Sequence, residues 1–134
     1  MRRLVIASHH RLAQGMADTL QFVTGGRVCP ITVCAYVDDV PLDAQIKDSV
    51  SAFSDEDEVL IFTDMLQGSV NQEIMRIVNP GTFIVTGFNL PCVLELALYE
   101  SKLNDEVIKD IVLRAREQLL YVNGIEEKLN DGDE

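Results

Sequence analysis

Val59-Leu60-Ile61-Phe62-Thr63-Asp64-Met65-Leu66-Gln67-Gly68-Ser69-Val70-Asn71 changes character in its middle. The first five residues form an apolar and β-branched run with no polar alternation, which reads as a strand covered on both faces. Asp64 ends that run. Gly68-Ser69 then opens a helix predicted to run to about Val78, where Asn79-Pro80-Gly81 stops it. A strand buried on both faces belongs to a parallel sheet flanked by helices, so this stretch alone points to an α/β fold.

The same alternation extends outward in both directions. Upstream, Leu4-Val5-Ile6-Ala7 reads as a strand and Leu12 to Val23 as a helix ending at Gly25-Gly26. Val28 to Tyr36 reads as a second strand, with Pro30 near its start suggesting an edge position. Asp38-Asp39-Val40-Pro41 opens a helix to about Phe53, Pro41 being suited to a first turn. Downstream, Thr82 to Thr86 is the fourth strand, Leu90 to Ser101 a helix, and Asp105 to about Val122 the last helix. The expectation is one three-layer α/β domain over residues 1–125. Its mainly parallel sheet would have four strands in order 2-1-3-4, with helices on both faces.

Composition narrows the function. The chain has 134 residues, 47% of them hydrophobic, enough for one core. No apolar run approaches the roughly 20 residues needed to span a bilayer, and Leu4 to Ala7 is too short for a signal sequence. A cytoplasmic location is expected. The net charge of −11 argues against nucleic acid and fits partners with a basic face. The acidic stretch 126–134 is expected to fray. Cys29, Cys34 and Cys92 form no CxxC pair and read as reduced, buried thiols; with two histidines they make no metal set. GxxxxGK[ST], GxGxxG and GxSxG motifs are absent, so neither a nucleotide cofactor nor a hydrolase elbow is expected.

In open parallel sheets ligands bind beyond the carboxyl ends of the strands, where strand order reverses. Strand 1 leads into Ser8-His9-His10, strand 3 into Asp64, and strand 4 into Gly87-Phe88-Asn89. A histidine, a carboxylate and an amide are therefore expected at one edge. A neutral imidazole is nucleophilic near pH 7, and a carboxylate on one ring nitrogen frees the other to attack. The helix start at Gly68-Ser69 offers N–H groups, a dipole and a hydroxyl to an anion. The plainer readings stand beside this one: His9 as a loop residue, Asp64 as a turn or cap, Gly68-Ser69 as an ordinary helix start, Glu95 as a first-turn acid, Arg114 and Arg116 as solvated charges.

Three blocks also resemble a known family. Val5-Ile6-Ala7-Ser8-His9-His10-Arg11-Leu12-Ala13-Gln14-Gly15 is similar to the opening of the mannose-family IIA domains of the bacterial phosphoenolpyruvate-dependent sugar phosphotransferase system. There the pattern runs strand, Ser/Thr-His-Gly-x-Leu/Ala-Ala, helix. Residues 59–71 resemble the strand-Asp-x-x-x-Gly-Ser/Thr-Pro-x-Asn block. Thr86-Gly87-Phe88-Asn89-Leu90-Pro91-Cys92-Val93-Leu94-Glu95 resembles the Gly-x-Asn-Leu-Pro-Met-Leu-x-Glu block. The resemblance implies that His9 takes phosphate from the carrier protein HPr and passes it to a IIB domain that serves a membrane permease. Asp64 would orient His9, Gly68 and Ser69 would hold the phosphate, and Ser8, His10 and Asn89 would support them. Neither metal nor cofactor is implied. Such domains are commonly homodimers that exchange a C-terminal strand; here Leu119-Leu120-Tyr121-Val122 is the nearest apolar candidate, although it reads as a helix end.

The pattern is departed from in three places. His10 replaces the usual Gly and adds a second candidate nucleophile. The Gly68-Ser69-Val70-Asn71 block lacks the usual Pro and is one residue shorter. Cys92 replaces the usual Met. Two alternatives follow: a regulatory module of the same fold that has lost turnover, or the phosphocarrier subunit of a dihydroxyacetone kinase. Neighbouring IIB and permease genes would favour the sugar system.

Overall fold

The computed structural model describes residues 1–125. Four strands alternate with helices in the order β1 (Arg2–His9), α1 (Leu12–Val23), β2 (Ile31–Ala35), α2 (Leu42–Val50), β3 (Glu58–Thr63), α3 (Ser69–Ile77), β4 (Phe83–Thr86), α4 (Leu90–Leu98) and α5 (Asp105–Arg116). A short helical turn follows at 122–125. All pairings are parallel and the strand order is β2-β1-β3-β4, as the sequence pattern predicts. Pro30 lies just ahead of an edge strand, where its missing N–H costs no ladder bond.

Two cores result from the two-residue period of the strands. Ile6, Leu60, Phe62 and Val85 point to one face and pack with Ala13 and Leu20 of α1, Val93 and Leu96 of α4, and Ile111 and Ala115 of α5. Val5, Ala7, Val33, Ala35 and Ile61 point to the other face and pack with Ile46 of α2 and with Val70 and Ile74 of α3. Both faces being covered is the reason these strands read as unbroken apolar runs.

Several boundaries differ from expectation. α5 ends at Arg116 rather than Val122, because Ile111 and Ala115 are its last buried residues. Leu119, Leu120, Tyr121 and Val122 have no core to join and stay exposed. α2 begins at Leu42, with Pro41 in an extended conformation as its N-cap rather than inside its first turn. Cys29 is exposed rather than buried, in the loop ahead of β2 with its Sγ 3.1 Å from Gln21 Nε2; Cys34 is half-buried and Cys92 buried. Glu95 lies in the second turn of α4 rather than its first, and it forms an ion pair with Arg114 at 2.6 Å that clasps α4 to α5, so Arg114 is not simply solvated. The acidic stretch 126–134 lies outside the described residues.

Candidate functional site

The alternation of β1 decides which way its last residues point. Ser8 follows Leu4 and Ile6 toward α1, whereas His9 follows Val5 and Ala7 toward α3. Ser8 is fully buried, and its Oγ accepts the Ala13 N–H at 2.7 Å, an otherwise orphaned donor in the first turn of α1. Ser8 therefore builds the loop rather than the reactive surface. His10 adopts φ 53, a left-handed conformation that glycine takes without strain, and its N–H extends the ladder to the Ala35 carbonyl at 2.8 Å.

His9 meets Asp64, which lies one residue beyond β3. Asp64 Oδ2 accepts the His9 backbone N–H at 2.8 Å and contacts Nδ1 of the ring at 2.9 Å, while Oδ1 accepts the Met65 N–H at 3.1 Å. Burial pushes the Asp64 carboxyl upward, yet the backbone and ring of His9 outweigh it and hold the group below the ordinary carboxylate range. An ionised carboxylate only accepts, so Nδ1 is the donor, and in the neutral ring Nε2 carries the lone pair. The side chains are 35% exposed for His9 and 7% for Asp64. The pair thus places a solvent-accessible imidazole on a nearly buried anchor.

The free edge of the imidazole lies on the start of α3. Gly68, the N-cap, has φ −83 and ψ 155, open to any residue, so its backbone dihedrals do not demand glycine. Space does: a Cβ there would lie 2.7 Å from His9 Cε1. Ser69 Oγ is 3.5 Å from His9 Nε2, too long to tie up the lone pair. The first-turn N–H groups of α3 have no intrahelical acceptor and carry the positive end of the helix dipole. The loop between Asp64 and Gly68 is held from below by buried Asn71, whose Nδ2 donates to the Leu66 carbonyl at 3.1 Å and whose Oδ1 is 2.7 Å from Thr63 Oγ1.

The structure thus brings together His9, Asp64, Gly68 and Ser69. Asn89 serves elsewhere: its Oδ1 accepts the Cys92 N–H at 3.0 Å, capping α4, and its Nδ2 donates to the Ala115 carbonyl at 2.8 Å. Its amide joins α4 to α5 and makes no hydrogen bond to His9 or Asp64. Two residues at the site escape sequence reasoning. Asn71 ends the second family-like block and sits in the first turn of a helix, but nothing local assigns it the loop it holds. Tyr36, one residue past β2, stands with its ring centroid 5.9 Å from that of His9 and its hydroxyl 2.6 Å from Ser69 Oγ. Burial raises the Cys92 thiol to about 11, with Glu95 adding to the effect, which keeps it an inert part of the core.

The family of the PTS system fructose IIA component (EIIA-man) matches residues 3–112. No curated protein matches the chain. Among solved structures, a protein of Klebsiella pneumoniae subsp. pneumoniae MGH 78578, provisionally described as a phosphoenolpyruvate-dependent sugar phosphotransferase system permease, is 32% identical. It covers 91% of each chain with a TM-score of 0.82. A PTS IIA protein associated with the fucose utilization operon of Streptococcus pneumoniae is 29% identical over 92% of this chain and 94% of its own, with a TM-score of 0.74. The mannose/sorbose-specific IIA subunit of Enterococcus faecalis shares the fold at 19% identity and a TM-score of 0.74, over 90% of this chain and 93% of its own. A three-layer sheet of this order, a match over most of the chain and a relative at 32% identity agree: the chain belongs to the mannose-family IIA components of the sugar phosphotransferase system.

Proposed function

We propose that this IIA component is a phosphohistidine carrier, taking a phosphoryl group from phospho-HPr on His9 Nε2 and passing it to a IIB domain. One observation carries the reading: Asp64 Oδ2 lies 2.9 Å from Nδ1, which in the neutral ring leaves the Nε2 lone pair free, beside the start of α3. The Nε2 lone pair attacks the donor's phosphorus as the donor's P–N bond breaks and its electron pair returns to the donor imidazole. Positive charge developing on the His9 ring is met by the Asp64 carboxylate. The phosphoryl oxygens meet the Ser69 hydroxyl and the N–H groups of the helix start. Transfer to IIB is the same step in reverse with a new acceptor. Such transfer depends mostly on positioning and charge, and the pairing of His9 with Asp64 beside Gly68 and Ser69 supports the reading on both counts.

The surroundings suit a protein partner. Tyr36, Met65 and Leu66 are exposed apolar residues next to the site, in the loops that carry its groups. The net charge of −11 favours a partner with a basic face. Among the described residues no helix is long and apolar enough to cross a membrane, so membrane contact would run through the permease complex and the carrier would work in the cytoplasm. A homodimer belongs to the same reading and is supported by the exposed run from Leu119 to Val122; sedimentation of a chain truncated after Gln118 tests it. The main experiment is incubation with phosphoenolpyruvate, enzyme I and HPr, followed by intact-mass analysis of wild type, His9→Ala and His10→Ala. One acid-labile phosphate lost only with His9 is the expected result. Loss only with His10 moves the acceptor by one residue, and an unlabelled wild type beside competent donors makes a regulatory module the better account.

A further inference from the structure

Tyr36 is held in a way that packing does not explain. Its backbone lies at φ 66, a left-handed conformation that costs a bulky residue free energy and costs glycine none. Its side chain is not sheltered in return, since the residue is 59% exposed. Strain retained at an exposed aromatic residue calls for another function. The conformation stands the phenol over the site, with its hydroxyl 2.6 Å from Ser69 Oγ and its ring tilted 44° against the imidazole of His9.

We propose that Tyr36 is a positioning residue that acts through Ser69, a proposal that rests on the reading of His9 as phosphoryl acceptor. A serine hydroxyl has one proton and two lone pairs. When the Tyr36 hydroxyl donates to Ser69 Oγ, it fills one lone pair and leaves the Ser69 proton to point away from the phenol. The other neighbour of Ser69 is His9 Nε2, 3.5 Å away, where the phosphoryl group arrives. The Ser69 hydroxyl is thereby aimed in advance at the incoming oxygens. Donation from Tyr36 also polarises Ser69 O–H, making it a better donor to a phosphoryl oxygen. Left alone, the exposed Ser69 hydroxyl would rotate freely and offer the site a lone pair as often as a proton.

The test uses the full chain and potassium phosphoramidate as a small phosphoryl donor, so that no partner protein contributes. Wild type, Tyr36→Phe, Ser69→Ala and the double variant are followed by intact mass for the rate of acid-labile phosphorylation. One hydrogen bond lost from the pair should slow Tyr36→Phe by roughly two- to twelvefold. The double variant should be no slower than Ser69→Ala alone, because the phenol acts only through that hydroxyl. A Tyr36→Phe rate equal to wild type overturns the proposal, as does a double variant slowed by the product of the two single effects. The ring nitrogens of His9 give a readout independent of transfer: Tyr36→Phe should move the Nε2 resonance of the unphosphorylated protein. If the wild type takes no phosphate while free imidazole in the same tube does, the acceptor reading falls, and an unmoved Nε2 resonance then overturns the role of Tyr36 separately.

Discussion

Replacing Asp64 by Asn tests the site at its anchor. The carboxylate accepts three N–H groups, from the His9 backbone at 2.8 Å, the His9 ring at 2.9 Å and the Met65 backbone at 3.1 Å. An amide of the same shape has one oxygen and one NH2. If the oxygen takes the Oδ2 place, the NH2 faces the Met65 N–H. If the amide flips, the NH2 faces the His9 backbone N–H and can satisfy the ring only by donating to Nδ1. That second arrangement moves the ring proton to Nε2 and removes its lone pair. The first keeps the tautomer but replaces a charge-assisted bond with a neutral one. Hydrogen bonds to charged groups are worth about 1.5–3 kcal/mol, and 1.4 kcal/mol is a factor of ten, so Asp64→Asn should slow phosphoryl acceptance roughly 10- to 150-fold. The fold should survive, because the substitution alters no packing volume. The assay is time-resolved intact mass with phospho-HPr in excess, with thermal unfolding run in parallel. Acceptance at the wild-type rate by a folded Asp64→Asn would refute the orienting role. A variant that fails to fold would show instead that the carboxylate serves structure.

Three further outcomes follow from the same geometry. Gly68→Ala should leave thermal stability nearly unchanged and sharply reduce phosphorylation, because the added methyl meets His9 Cε1 at 2.7 Å and displaces the ring while the backbone at φ −83 accepts alanine; an unaffected rate would show that the ring can move without loss. His10→Gly should raise stability by about 1 kcal/mol in chemical denaturation, since φ 53 strains a histidine and not a glycine, and no gain would mean that the side chain repays the strain through contacts. Asp64 should also mark acid stability. Its carboxyl is held below the ordinary range, so its contribution is complete above the unfolded value of about 3.9 and is lost as pH falls through the lower folded value. Melting curves of wild type between pH 6 and pH 2 should therefore fall more steeply below pH 4 than those of Asp64→Asn, and parallel curves would contradict the shift.

Local pattern alone specified the alternation of strands and helices, the burial of the strands on both faces, the span of α1 and the edge position of β2, while the order β2-β1-β3-β4 followed from its being the common one for such sheets. All but the order are written in hydrophobic periodicity and in punctuation by Gly, Pro and Asn, signals that need only near neighbours. That His9 and Asp64 would be neighbours was legible too, because the carboxyl ends of adjacent strands must converge wherever strand order reverses. The tertiary structure decided which side of the sheet each of them serves. One residue of parity sends Ser8 to cap α1 and His9 to meet Asp64 across 55 positions of sequence. Packing between α4 and α5 drew the Asn89 amide to the Ala115 carbonyl, and the end of the buried face stopped α5 at Arg116 although the apolar residues continue. Tyr36 joined the site through a left-handed backbone that no local pattern encodes, and through a hydroxyl contact to a residue 33 positions away. Sequence periodicity records which face of its own element a residue occupies; what that face meets depends on the other elements the fold brings against it.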